Sequence, residues 1–269
     1  MYGYGYQYSS ILKSGGGTPA PPAFDADYQS VLDYGTAQGY TLPSGGQQTL
    51  QNDLLVALKA AGVWSKLDTF ANFATDGDSN FALIDWIRLT DYTAINSPTF
   101  ASNVGFQGDG VSSYIDSNYN PGVDNVNYTL DSASYGYDQV ISRTTSSTVE
   151  NNWGTGETTG SFLRPNRRTY LNSSTNYLNA TGFTFDALQL VSVNRFDSTT
   201  INLYENGSLL ISDNLLPSTY FGSITTMVAF KNYSGVFNDS GLSMVYAGAD
   251  LTAEMSDLYN AYNTYKTSL

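Results

Sequence analysis

The stretch Ala187 to Leu210, ALQLVSVNRFDSTTINLYENGSLL, constrains the fold more than any other part of the chain. Leu188, Leu190, Ser192 and Asn194 alternate with Gln189, Val191, Val193 and Arg195. The run breaks through Thr200, and Ile201-Asn202-Leu203-Tyr204 resumes the period of two. Two β-hairpins in series follow from that pattern. Asn206-Gly207 closes the second one and predicts a type I′ turn, because both central residues need φ > 0 and this pair adopts it at least cost.

Similar short runs recur from Thr99 to Tyr246, separated by turn residues at intervals of about 8–12. Val111 to Asp116, Asn127 to Leu130, Tyr135 to Ile141, Gly160 to Leu163, Thr169 to Leu171, Leu188 to Asn194, Ile201 to Glu205, Ser208 to Ser212, Ile224 to Lys231 and Leu242 to Tyr246 read as strands. Such a set fits two packed antiparallel sheets, a sandwich or jelly roll. Helical signals flank it. Leu50, Leu54, Leu58 and Ala61 recur along one face of a helix of about three turns, with Ser44 and Gln47 at capping-box spacing and Gly62 as its stop. Trp64, Leu67, Phe70, Phe73, Phe81, Leu83 and Trp86 supply core anchors around the Asp76 to Asn80 turn, and both tryptophans read as core. Near the end, Thr252 reads as the cap of a segment with Met255, Leu258, Tyr259 and Tyr262 on one face. The chain therefore divides into a Tyr/Gly-rich arm with a Gly/Pro linker (1–23), a helical segment (24–95) and a β-sandwich with a closing helix (96–269).

Composition excludes much chemistry. With no Cys and no His, the chain has no thiolate or imidazole nucleophile, base or metal ligand. A net charge of −13 argues against a nucleic-acid groove, which needs clustered cations to displace counterions from phosphates. The one basic cluster, Arg164, Arg167 and Arg168, reads as surface solvation or a local ion pair. Met1-Tyr-Gly-Tyr-Gly-Tyr-Gln-Tyr8 has neither the basic nor the apolar region of a secretory signal, and no apolar run is long enough to span a bilayer. Tyr2, Tyr4, Tyr6 and Tyr8 alternate with Gly and Gln, a pattern suited to stacking on a partner and without a core of its own, and read as an attachment arm.

The C-terminal two-thirds resembles the concanavalin A-like, laminin-G-like jelly roll. The residues that carry this are Tyr204-Glu-Asn-Gly207 at a hairpin and Ser243 to Met255 running from a last strand into a closing helix with Leu258 and Tyr259. Together with Leu58 to Asp68, Asn96-Ser-Pro-Thr-Phe100 and Gly105 to Asp116, the ordered set is similar to structural proteins of tailed bacteriophages over about residues 48–265. The resemblance implies a virion protein of a tail, fibre or capsid. It implies an exposed module anchored by its arm, with other virion proteins and further copies of itself as partners. The alternative it carries is a receptor-binding lectin of the same particle that recognises host surface glycans.

Glycosidases of such folds place paired carboxylates on one strand face. Here the glutamates are Glu150, Glu157, Glu205 and Glu254, and the two nearest, Glu150 and Glu157, are separated by turn formers, so no enzyme is expected. Asp76, Asp78 and Asn80 have the spacing of a Ca2+ loop, but Phe81 stands where the sharp turn needs Gly, and Ile87 where a bidentate Glu is needed. A looser oxygen-ligated Ca2+ site there, with Asp109, Asp116 and Asp124 of the same standing, competes with ordinary turn chemistry. No other cofactor is expected. Trp153, beside Asn151 and Asn152, is the candidate sugar platform, since a loop tryptophan either packs or binds, packing being the commoner fate.

Overall fold

The computed structural model describes residues 23–144, 152–155, 160–163, 168–173, 176–184, 187–219, 225–232 and 234–269. Two helices come first, α1 (Ala26–Gln38) and α2 (Gly45–Ala60). The Asp25 carboxylate accepts from the Asp27 N–H and Ser44 Oγ from the Gln47 N–H, satisfying donors that a helix start leaves open. Strands follow as β1 (Leu67–Asn72), β2 (Ile84–Asp85), β3 (Thr90–Asp91), β4 (Thr93–Ile95), β5 (Thr99–Ala101), β6 (Gly105–Gln107), β7 (Tyr114–Asp116) and β8 (Ala133–Ile141). Then come β9 (Trp153–Thr155), β10 (Gly160–Leu163), β11 (Arg168–Ser173), β12 (Leu178–Asn179), β13 (Leu190–Arg195), β14 (Ile201–Glu205), β15 (Ser208–Asp213), β16 (Met227–Ala229), β17 (Gly241–Gly248) and the closing α3 (Met255–Lys266).

The strands build two antiparallel sheets, so the fold is the mainly β jelly-roll sandwich with flanking helices that the sequence predicts. One sheet has the order β15-β14-β13-β8-β17-β6-β5, with β1 also paired to β17. The other runs β12-β11-β10-β9-β16-β7-β4, and β2 and β3 form a small ribbon. The hairpins β13-β14-β15 follow in series as expected, and Asn206 and Gly207 sit at φ of 48° and 74°, the two positive values a type I′ turn requires.

The first sheet is the middle of three layers. Toward the second sheet it sends Tyr135, Tyr137, Val191, Val193, Leu203, Val245 and Ala247, which meet Trp153, Ile115 and Leu171. Its other face sends Leu190, Tyr204, Met244 and Tyr246 into a second core with Leu54, Leu58, Tyr28, Leu258 and Tyr262 of the helices. Every residue of β17 is buried as a result. Across the sandwich, Arg195 on β13 is wholly buried and donates to the carbonyls of Leu171 on β11 (2.9 and 3.1 Å) and Leu216 (3.0 Å), stapling the two sheets at one end.

Several elements depart from expectation for physical reasons. The segment 24–95 holds β1 and β4, which complete the two sheets, as well as its helices. Asn127 to Leu130 is not a strand: the N–H groups of Val126, Asn127 and Tyr128 donate to the buried Asp68 carboxylate at 2.8–3.0 Å, leaving none of these three donors to a ladder. Thr252 does not cap α3 but donates to Asp250, and the cap position is Glu254. Gln47 turns inward from α2, its Oε1 accepting from Thr75 Oγ1 at 3.0 Å and also from the Asp76 N–H.

Candidate functional site

Trp153 is not a sugar platform. It lies on β9, a central strand, at 0% exposure, stacked on Tyr92 with ring centroids 6.3 Å apart, and its Nε1 donates to the Tyr246 carbonyl at 3.0 Å. Asn152 is buried beside it: Nδ2 donates to Gln139 Oε1 (2.6 Å) while Oδ1 accepts from Asn238 and Ser240, both at 3.1 Å. β9 sends Trp153 into the sandwich; of the residues that suggested a loop, Gly154 is the middle residue of the strand, paired on both sides, and Asn152 immediately precedes it. Asn151, Glu150, Glu157 and the four arm tyrosines Tyr2, Tyr4, Tyr6 and Tyr8 lie outside the described residues.

The carboxylates of the Asp76 to Asn80 turn face backbone donors. Asp76 accepts from the Ser44 N–H (2.9 Å), and Asp78 accepts from those of Thr41 (2.8 Å), Asn80 (3.1 Å) and Phe81 (2.8 Å), so the turn fastens the α1–α2 connection. The Asn80 N–H is thus a donor in that turn, and the role the structure gives all three positions is turn chemistry. Asp109 does the same for Val111, Ser112 and Ser113; burial works against its charge, but those N–H groups hold its carboxyl well below the usual range. Asp124 accepts from the Asn120 N–H at 2.8 Å. Among the described residues, no group of three acidic side chains is placed to hold a metal ion.

Buried carboxylates are engaged in the same way. Asp68 accepts from Tyr119 OH and three N–H groups, while Asp85 accepts from Thr69 and the Arg88 guanidinium. Asp138 on β8 accepts from Ser243 and from Lys266 on α3 at 2.9 Å; burial pushes its pKa up against the pull of Lys266.

The sequence did not single out a hollow of about 270 Å3 on the outer face of the second sheet. Tyr114 and Asp116 share one face of β7, Val228 lies opposite on β16, and Lys231 Nζ stands 4.0 Å from the Tyr114 ring centroid. Asp116 Oδ1 accepts from the Asn118 N–H at 2.9 Å, and Oδ2 makes no hydrogen bond to a described residue. An aromatic face, a carboxylate oxygen and an ammonium on a shallow sheet surface are the groups that hold a neutral polyol: C–H faces on the ring, hydroxyls on the charges. Alternation within Val111 to Asp116 was the available signal for the Tyr114–Asp116 face. That β16 lies beside it was not.

No family model matches the sequence, and no curated protein matches it. Solved structures do. Trypanosoma rangeli sialidase is similar at a TM-score of 0.54 and 10% identity, over 82% of this chain and 40% of that one. Domain 4 of AbnA, a GH43 extracellular arabinanase from Geobacillus stearothermophilus solved in complex with arabinotriose, is similar at a TM-score of 0.50 and 14% identity, over 72% of this chain and 98% of that domain. A point variant of HCR/D gives a TM-score of 0.54 and 13% identity, over 74% of this chain and 52% of that one. At these identities the likeness is one of fold. The chain spans less than half of the sialidase it matches.

Proposed function

We propose that this chain is a non-catalytic, exposed sandwich module of a bacteriophage virion, attached through residues 1–23. The observation that carries the non-catalytic reading is the engagement of Asp68, Asp85 and Asp138 by donors of the fold itself, which leaves none of these three buried carboxylates for proton transfer. The resemblance of the ordered motifs to phage structural proteins supports the setting. Mass spectrometry and immunogold labelling of gradient-purified particles from the phage that encodes the chain test it. The chain is expected at fixed copy number on the particle surface, and particles without it overturn the reading.

A second reading, a glycan-binding module of the same particle, is favoured by the Tyr114–Asp116–Lys231 hollow. Domain 4 of AbnA, solved with arabinotriose, supports the idea that this fold accommodates an oligosaccharide. A glycan array on the full chain separates the two. Reproducible binding lost in Tyr114→Ala, with the unfolding midpoint unchanged, supports a lectin; silence across the array leaves the structural role.

A further inference from the structure

A second hollow lies in the helical layer, apart from the site above. It is a groove of about 540 Å3 between α2 and α3, lined by the buried Leu54 and Tyr265 and the half-buried Ala57, Ala61 and Ala261. Small side chains keep it open, and its lining is predominantly apolar. Asp53 and Asp257 stand exposed on its rims, with no ion pair or hydrogen bond to a described residue.

The cations near these helices are already engaged. Lys59 pairs with Asp25 and Asp27, Lys66 with Glu254, and Lys266 with Asp138. An occupant complementary to the groove must therefore bring aliphatic side chains and its own positive charge, in a chain whose net charge is −13.

Residues 1–23 fit that description. They contain no Asp or Glu, and their one cation, Lys13, follows the aliphatic pair Ile11-Leu12. The described chain also begins in the right place. The Asp25 N–H donates to Asn52 Oδ1 at 2.7 Å and its carboxylate meets Lys59 Nζ at 2.6 Å, so the chain joins the helical layer against α2 itself. Asn52 and Lys59 lie on the flank of α2 away from the groove, and the route between crosses its exposed side, where Val56 is 45% exposed. That crossing is about one helix diameter, ~10 Å. A Gly-rich tether from Phe24 back to Leu12 has a root-mean-square reach of about 20 Å, and tethering supplies an effective concentration of order millimolar.

We infer that the α2–α3 groove is the docking site for the Ile11-Leu12-Lys13 segment of the same chain, the aliphatic pair entering the groove and Lys13 meeting Asp53 or Asp257. Held there, the arm presents Tyr2 to Tyr8 from the helical face and away from the Tyr114 hollow. The inference does not rest on the virion reading.

The absence of cysteine permits a direct test on the full chain. One variant carries Leu12→Cys with Ala57→Cys in the groove; the other carries Leu12→Cys with Ser30→Cys, a position on α1 that is half-buried like Ala57 and close to where the described chain begins. Disulfide formation is followed in mild oxidant by non-reducing electrophoresis. Docking is expected to close the Ala57 pair within the monomer about tenfold faster than the Ser30 pair. Charge reversal by Asp53→Lys with Asp257→Lys is expected to remove most of that advantage, as is high salt. Equal closure rates overturn the inference, since a free tether reaches Ser30 at least as readily. A disulfide formed mainly between two copies also overturns it, because the occupant is then a neighbour's arm.

Discussion

Gly207 shows how one position joins two layers. Its φ of 74° is open to glycine and strained for a β-branched residue, and a Cβ there would lie 2.8 Å from Tyr259 Cβ and 2.9 Å from the Met255 carbonyl of α3. Gly207→Val therefore meets strain and a helix backbone together, and the denaturant midpoint is expected to fall by an equivalent of about 2–3 kcal/mol. An unchanged midpoint would mean that the hairpin tip does not touch α3. Trp153→Phe probes the sandwich in the same manner. It removes the N–H that satisfies the Tyr246 carbonyl, at a cost of about 1–3 kcal/mol in thermal or chemical unfolding, with any glycan signal unaffected because the indole is enclosed.

Among the elements, α3 is held by a partly buried ion pair. Lys266→Met leaves Asp138 at 1% exposure without its cation; because Lys266 keeps 30% of its side chain in solvent, the loss is expected below that of a fully buried pair, at about 2 kcal/mol. The pKa of Asp138 is raised by burial, so the folded state binds its proton more tightly than the unfolded chain does. Acidification consequently favours the fold at this site, and the deficit of Lys266→Met should narrow as the pH is lowered from neutrality toward the ordinary carboxylate range when urea midpoints are compared. What the sequence revealed of such elements depended on whether their chemistry is local. Asn206-Gly207, the Ser44 cap and the Gly62 stop are local, and all were legible. β1 was not, because Leu67–Asn72 is buried on both faces and has no alternation to read. The Asn127 to Leu130 region misled because its donors go to Asp68, a residue distant in sequence. Trp153 looked like a loop residue because β9 is short and set among Gly and Asn, and the Tyr114–Lys231 pairing depends on a strand neighbourhood that no short-range pattern encodes.

At the scale of the molecule, acid stability is set by carboxylates that cap turns and ends. Asp25 is held low by Lys59; at Asp109 and Asp197 burial opposes ionisation, but backbone N–H groups outweigh it, Ser112 at the first and Thr199 and Thr200 at the second. Each is depressed relative to the unfolded chain, so its contribution is complete above about pH 4 and fades as pH falls further. Thermal unfolding followed from pH 6 to pH 2 should show a decline that steepens below about pH 4, and a flat profile would mean these caps do not form in solution. The burial of β17 on both faces has a kinetic counterpart. If the helices detached, Met244 and Tyr246 would meet water; if the sheets parted, Val245 and Ala247 would. Neither layer has a partially open form that spares this strand. Its amide protons should therefore exchange with deuterium only through complete unfolding, in step with those of α2 and β9, and the two cores should melt as one calorimetric unit.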